Sequence, residues 1–319
     1  MTNRLRRLSL SILLFGISFM AAAQSRPRVG LVLGGGGAKG AAEAGALKVI
    51  EEAGVPIDMI AGTSIGSIVG GMYSIGYRSA DLDSLFSSQN WLELFGKELL
   101  GKHSIINLLD TMVARSPAAR MPWRGEMNPY MSPMSFDKLP IPFRCVATDL
   151  RTQTEVVLDS GRMAECMRAS MAIPGVFSPV RMDGKVLIDG GTMNNLPMDV
   201  ARNMGADIVI AIDLTQNKHD DHDESSAFKT GIGLIDWFLE RPDISKYNRN
   251  RHDADIYINP NLKGLDAASF TPNDVLEMMK RGEKAARKHW SELKALAKRM
   301  KKAREQESDS TFCAEKNVP

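Results

Sequence analysis

The sequence predicts a three-layer α/β/α protein built on a mainly parallel central sheet. From Val29 onward, short β-type apolar runs alternate with stretches of helical periodicity, the pattern of strands joined by crossover helices. Most of those runs are continuously apolar rather than alternating, as strands covered on both faces must be. With 319 residues, 44% of them hydrophobic, the chain is long enough for one sizeable core.

In chain order the expected strands are Val29 to Leu33, Asp58 to Ala61, Phe143 to Thr148, Glu155 to Asp159, Lys185 to Ile188 and Asp207 to Ile212. The expected helices are Lys39 to Ala53, Ile65 to Gly76, Ser79 to Ser87, Arg162 to Ser170 and Pro197 to Met204. A dense run of large apolar side chains from Leu82 to Leu109, Trp91 and Phe95 among them, exceeds what a connector needs. It reads equally well as core packing and as a lid over an apolar channel.

The α/β unit is expected over residues 24–271, followed by a helical segment over 272–305 and a disordered tail over 306–319. Val275, Met278, Met279, Ala286, Trp290, Leu293 and Leu296 recur at helical spacing, and Lys294 to Lys302 is strongly basic. That face is either solvated or a peripheral contact with anionic lipid.

Met1 to Ala23 reads as a signal peptide: Arg4, Arg6 and Arg7, an apolar run from Leu8 to Met20, then small residues before Gln24. The mature protein is then exported: periplasmic, associated with the outer membrane, or secreted. Taking those three arginines from 40 basic residues leaves 37 against 38 acidic ones, a balance that gives no reason to expect a nucleic-acid partner. Cys145, Cys166 and Cys313 are an odd number without a CxxC pair, so buried free thiols are expected rather than a disulfide framework. Gln216 to Thr230, with His219 and His222 among four acids, reads as a solvated loop, and no metal site is expected.

Gly34-Gly35-Gly36-Gly37-Ala38-Lys39-Gly40 joins the first strand to the first helix. Consecutive glycines let the backbone turn sharply and aim bare N–H groups at an anion, helped by the helix N-terminus. Gly35, Gly37 and Gly40 fit the G-x-G-x-x-G of dinucleotide sites, but the acid expected at the end of the second strand is missing. A P-loop fails because Lys39 is followed by Gly40 rather than Ser or Thr. The remaining reading is a row of oxyanion donors for acyl transfer.

The second strand ends in Gly62-Thr63-Ser64-Ile65-Gly66, a nucleophile elbow between strand and helix. Gly62 and Gly66 make room for the turn, and Ser64 is presented at the sheet edge. Parallel strands bring this turn beside the glycine turn. None of the five histidines, His103, His219, His222, His252 and His289, follows a strand in a tight turn, so a Ser-His pair is not expected. Asp189, ahead of Gly190 and Gly191 at the end of a strand, is the better-placed base. Asp149 and Asp213 also end strands and stand as alternatives, with turn capping the simpler role for each.

Four blocks in this order resemble the patatin-like phospholipase family: the glycine turn, the elbow, Ala169 to Pro179, and Asp189-Gly190-Gly191-Thr192-Met193-Asn194-Asn195-Leu196-Pro197. The resemblance implies a patatin-like fold and a serine acyl hydrolase with a Ser64–Asp189 dyad and no cofactor. It implies that Gly35, Gly36 and Gly37 hold the oxyanion, with Lys39 and Gly40 in the same substrate-binding turn, and that the partner is a lipid or acyl ester. Asn194 and Asn195 are expected to fix the Asp189 turn through their side chains. Lys39 and Arg181 are expected as ordinary surface cations, with contact to a lipid phosphate the alternative reading. All three turns are expected along one rim of the parallel sheet. Some exported relatives continue into an outer-membrane β-barrel, and no alternating ten-residue strands follow residue 271 here. The alternatives are a catalytically idle lipid-binding or scaffold protein on the same fold, and a dinucleotide binder using Gly35, Gly37 and Gly40.

Overall fold

The computed structural model describes residues 26–120, 133–216 and 244–315. The expected signal peptide, and the acidic loop with His219 and His222, lie outside the described residues. The main elements are β1 (Val29–Leu33), α1 (Ala41–Ala53), β2 (Met59–Thr63), α2 (Ile65–Ser74), α3 (Ser79–Ser88), α4 (Trp91–Leu99), α5 (Ser104–Arg115), β3 (Phe143–Asp149), β4 (Thr154–Leu158) and α6 (Met163–Ser170). They continue with β5 (Val180–Met182), β6 (Lys185–Asp189), α7 (Met198–Asn203), β7 (Ile208–Ile212), α8 (Ile244–His252), β8 (Ile256–Ile258), α9 (Pro272–Arg287) and α10 (Trp290–Glu315).

The sheet has eight strands in the order β8-β7-β1-β2-β3-β6-β5, with β4 on the other edge of β3. From β8 to β3 the strands run parallel, and β4, β5 and β6 are antiparallel to their neighbours. Along β1, Val29, Leu31 and Leu33 face one cluster of buried side chains while Val32 faces another. One core thus lies under α1 to α6 and α9, and a smaller one under α7 and α8, which makes three layers.

The direction of β6 departs from expectation. Strand β3 gives one edge to β4 over Cys145 to Asp149, so its other edge must serve both β2 and β6. On that edge Thr63 of β2 pairs with Val146, and Asp189 of β6 pairs with Ala147. The two strands therefore point at each other end to end. Asp189 reaches Ser64 from the opposite direction rather than along one parallel rim.

The C-terminal helices belong to the core. Helices α1 and α9 cross so closely that a Cβ on Gly45 would sit 2.0 Å from the Met279 carbonyl oxygen, and one on Gly282 would sit 1.9 Å from that of Ala42. Val275, Met278, Leu293 and Met300 fill the core cluster beside α1. Lys294, Lys298, Arg299, Lys301 and Lys302 remain exposed on the outer face of α10. The helix runs on to Glu315, past the expected boundary at 305, because residues 306–315 include no Gly or Pro to stop it. No helix among the described residues is long and apolar enough to cross a membrane.

Most of the apolar surplus after α2 is core: Leu82, Phe86, Trp91, Ile105 and Leu109 are buried. Phe95 is the exception with a use at the site, and Leu100 points to solvent. Cys145 and Cys166 are free and buried, and burial pushes the Cys166 thiol up to about 12.

Candidate active site

Ser64 sits at the junction of β2 and α2 with φ 55° and ψ −124°, a conformation that side chains rarely adopt. The two flanking glycines make it attainable. A Cβ on Gly62 would lie 2.3 Å from the Gly66 carbonyl oxygen, and one on Gly66 would lie 2.4 Å from that of Leu33. Strand, turn and helix pack here backbone to backbone, with no space for a methyl group.

The Ser64 hydroxyl donates to Asp189 Oδ2 at 2.6 Å, and both residues are buried. The other carboxylate oxygen accepts the Gly191 N–H at 2.7 Å. Gly190 is needed because a Cβ there would meet the Val146 carbonyl oxygen at 2.2 Å. Burial pushes the Asp189 carboxyl up to about 7, partly offset by the two donated hydrogen bonds. A carboxylate tuned to that range is a far better base at neutral pH than one near 4.

The glycine turn lies against the same spot. A Cβ on Gly35 would sit 3.1 Å from Ser64 Cβ, and Gly37, in a left-handed conformation with φ 58°, borders the same cavity as Ser64. The three amides expected to act together are not equivalent. Gly35 N–H donates to the Asn195 carbonyl oxygen at 3.2 Å, whereas those of Gly36 and Gly37 meet no acceptor among the described residues. Gly40 touches Ile65 of the elbow helix rather than the cavity, since a Cβ there would lie 2.3 Å from Ile65 Cγ1. Lys39 is 3% exposed, against the expected surface cation, because the turn folds it under the first helix, whereas Arg181 is exposed.

The paired asparagines serve other turns than expected. Asn195 Nδ2 donates to the Gly35 carbonyl oxygen, and Asn194 offers its own carbonyl to the Thr63 hydroxyl at 2.8 Å. The Asn194 side chain reaches away to Glu155 and Asp199. The one-turn helix Gly191–Asn194 separates the pair from Asp189 along the chain, while Asn195 Oδ1 still lies against Gly191, 2.8 Å from where a Cβ on it would sit.

The alternative bases have occupations of their own. Asp149 accepts from the Arg151 and Val186 amides and the Thr152 hydroxyl; burial raises its pKa, but these bonds outweigh it and hold the carboxyl below its ordinary value. Asp213 accepts the Thr215 amide and the hydroxyls of Tyr247 and Tyr257, each hydroxyl at 2.5 Å. His103 and His252 are exposed, and His289 approaches Glu292 on its own helix.

An apolar cavity opens above Ser64, walled by Ile65, Met171 and Ile173 and by three aromatic rings, Phe95, Phe177 and Phe270. Phe95 from α4 packs edge-on to Phe270 at 4.9 Å between centroids and against Phe177 at 5.4 Å. Only Phe95 of this aromatic group falls in the apolar run that suggested a lid.

A model of the family described as patatin-like phospholipase matches residues 31–202, which is more than half of the chain and contains the glycine turn, Ser64 and Asp189. The chain belongs to the patatin-like phospholipase family. Among curated patatin-like relatives, an uncharacterised NTE family protein of Mycobacterium tuberculosis is 36% identical over 191 residues, covering 60% of this chain and 50% of that protein. The human patatin-like phospholipase domain-containing protein 6 is 35% identical over 213 residues, covering 66% of this chain and 15% of that one. The chain thus spans at most half the length of these two relatives. Among solved structures, VipD from Legionella pneumophila aligns with a TM-score of 0.50 at 17% identity, over 84% of this chain and 67% of VipD.

Proposed function

We propose that this patatin-like protein hydrolyses carboxylic esters of fatty acids, as a phospholipase A, lysophospholipase or lipid esterase. The observation that carries the reading is the 2.6 Å hydrogen bond from Ser64 Oγ to a buried Asp189, at the floor of an apolar cavity. An acyl chain in the cavity would bring its carbonyl carbon to Ser64. As Ser64 Oγ attacks, Asp189 Oδ2 accepts its proton, and negative charge collects on the former carbonyl oxygen. The unspent Gly36 and Gly37 amides are the donors for that oxygen, an arrangement typically worth about 3 kcal/mol per donor in the transition state. Collapse of the tetrahedral species expels the alcohol, which takes the proton from Asp189 and leaves an acyl-serine. Water then attacks the acyl-serine, Asp189 again receives the proton, and collapse returns that proton to Ser64 Oγ as the fatty acid leaves.

The family supports lipid-ester chemistry, and the wall of aromatic and aliphatic side chains supports an acyl group rather than a charged head group inside the cavity. Release of fatty acid from a chromogenic ester tests the reading. Wild-type protein should turn the ester over, and Ser64→Ala should lose at least a thousandfold of the rate while keeping the same circular dichroism spectrum. Equal turnover by the two proteins would remove the proposal.

A further inference from the structure

Accepting Ser64 as the nucleophile, we propose that Ser170 is a positioning residue whose hydroxyl fixes the nucleophile's strained backbone and sets it against Asp189. The residue lies at the end of α6, over a hundred positions from Ser64, and is fully buried.

The need for it follows from the elbow. Ser64 is the N-cap of α2, so its N–H has no partner within that helix, and the turn withdraws it from the β2–β3 ladder. The N–H donates instead to Ser170 Oγ at 3.0 Å. The Ser170 hydroxyl in turn donates to the Val146 carbonyl oxygen at 2.6 Å. Val146 is the register partner of Thr63, the residue before the nucleophile. One hydroxyl thus stands where the ladder would have continued, linking the elbow to β3 at the point where β2 ends.

The same stretch holds the base. The Ser170 carbonyl oxygen accepts the Gly190 N–H at 3.2 Å, and the Ala172 carbonyl oxygen accepts the Asp189 N–H at 2.9 Å. Side chain to nucleophile and main chain to base, Ser170 to Ala172 bridge two strand ends that meet head-on with no covalent or ladder connection between them. Placement of reacting groups to within a fraction of an ångström is what such bridging supplies, and an error of about 1 Å can cost about a hundredfold in rate.

An alanine at position 170 would leave the Ser64 N–H without an acceptor and the Val146 carbonyl without that donor. Folded Ser170→Ala is expected to lose ten- to a hundredfold in kcat on a soluble short-chain ester, with KM within twofold because the cavity wall is unchanged. Phosphonylation of Ser64 by a fluorophosphonate should slow by the same factor, and Ser170→Thr, which restores the hydroxyl, should recover most of both rates. A role in stability alone predicts a lower melting temperature with kcat within twofold of wild type, and that result would overturn the proposal. Should Ser170→Ala not fold, amide hydrogen exchange in the wild-type protein decides: protection of the Ser64 N–H supports the proposal, and exchange at the rate of an open amide overturns it. The exchange measurement needs no turnover, so failure of the hydrolase reading, seen as no wild-type labelling at Ser64, is told apart from failure of this one.

Discussion

Asp189 carries the largest electrostatic cost in the site. Burial pushes its carboxyl from an ordinary 3.8 up to about 7, so the folded state binds the extra proton between those values. Stability therefore falls as pH rises from about 4 to about 7, because the unfolded chain gives up that proton more readily. Asp189→Asn removes the titration but keeps an oxygen for the Gly191 N–H, and should be more stable than wild type at pH 8 by roughly 2–4 kcal/mol. The difference should vanish toward pH 4, which thermal melts across the range would show; an unchanged difference would contradict the burial argument. With Asp189 as the proposed base, kcat/KM on a soluble ester should show an acid limb with an apparent pKa of about 7, which a pH–rate profile checks. Ser64 and Asp189 were legible in the sequence because each sits in a glycine turn whose chemistry is local. The Asn195 contact with Gly35 and the Ser170 contact with Ser64 were not, since these bonds cross 160 and 106 residues of chain.

Among the elements, the crossing of α1 and α9 is the tightest constraint. Gly282→Ala would drive a methyl group into the Ala42 carbonyl and force the helices apart, with an expected loss of about 2 kcal/mol or more. Because α1 begins at the glycine turn, denaturant melts of this variant should show lower stability, and its rate on a soluble ester should fall as the turn shifts. A variant as stable as wild type would show that the helices can separate freely. Helix α4 is tied in by the buried ion pair of Glu98 with Arg168 on α6, at 2.8 Å, and this pair holds Phe95 over the cavity. Strand positions were readable from apolar runs, but the direction of β6 was not. A five-residue buried strand looks alike read either way, and direction is decided by which edge of β3 is vacant.

For the molecule as a whole, the three-layer architecture followed from the alternation of strands and helices, since a doubly covered parallel sheet demands continuous apolar runs. Beyond residue 271, α9 and α10 supply the core beside α1 with Val275, Met278, Leu293 and Met300. The fold uses this framework to bring together, at one end of the cavity, a strained serine from β2, a buried acid from β6 and the Gly37 turn after β1. Peptide mass analysis after reaction with a fluorophosphonate tests that convergence most directly. The account predicts a single adduct on the peptide containing Ser64, forming at least a hundredfold more slowly in Asp189→Asn. An adduct on another residue, or labelling of Asp189→Asn at the wild-type rate, would contradict it.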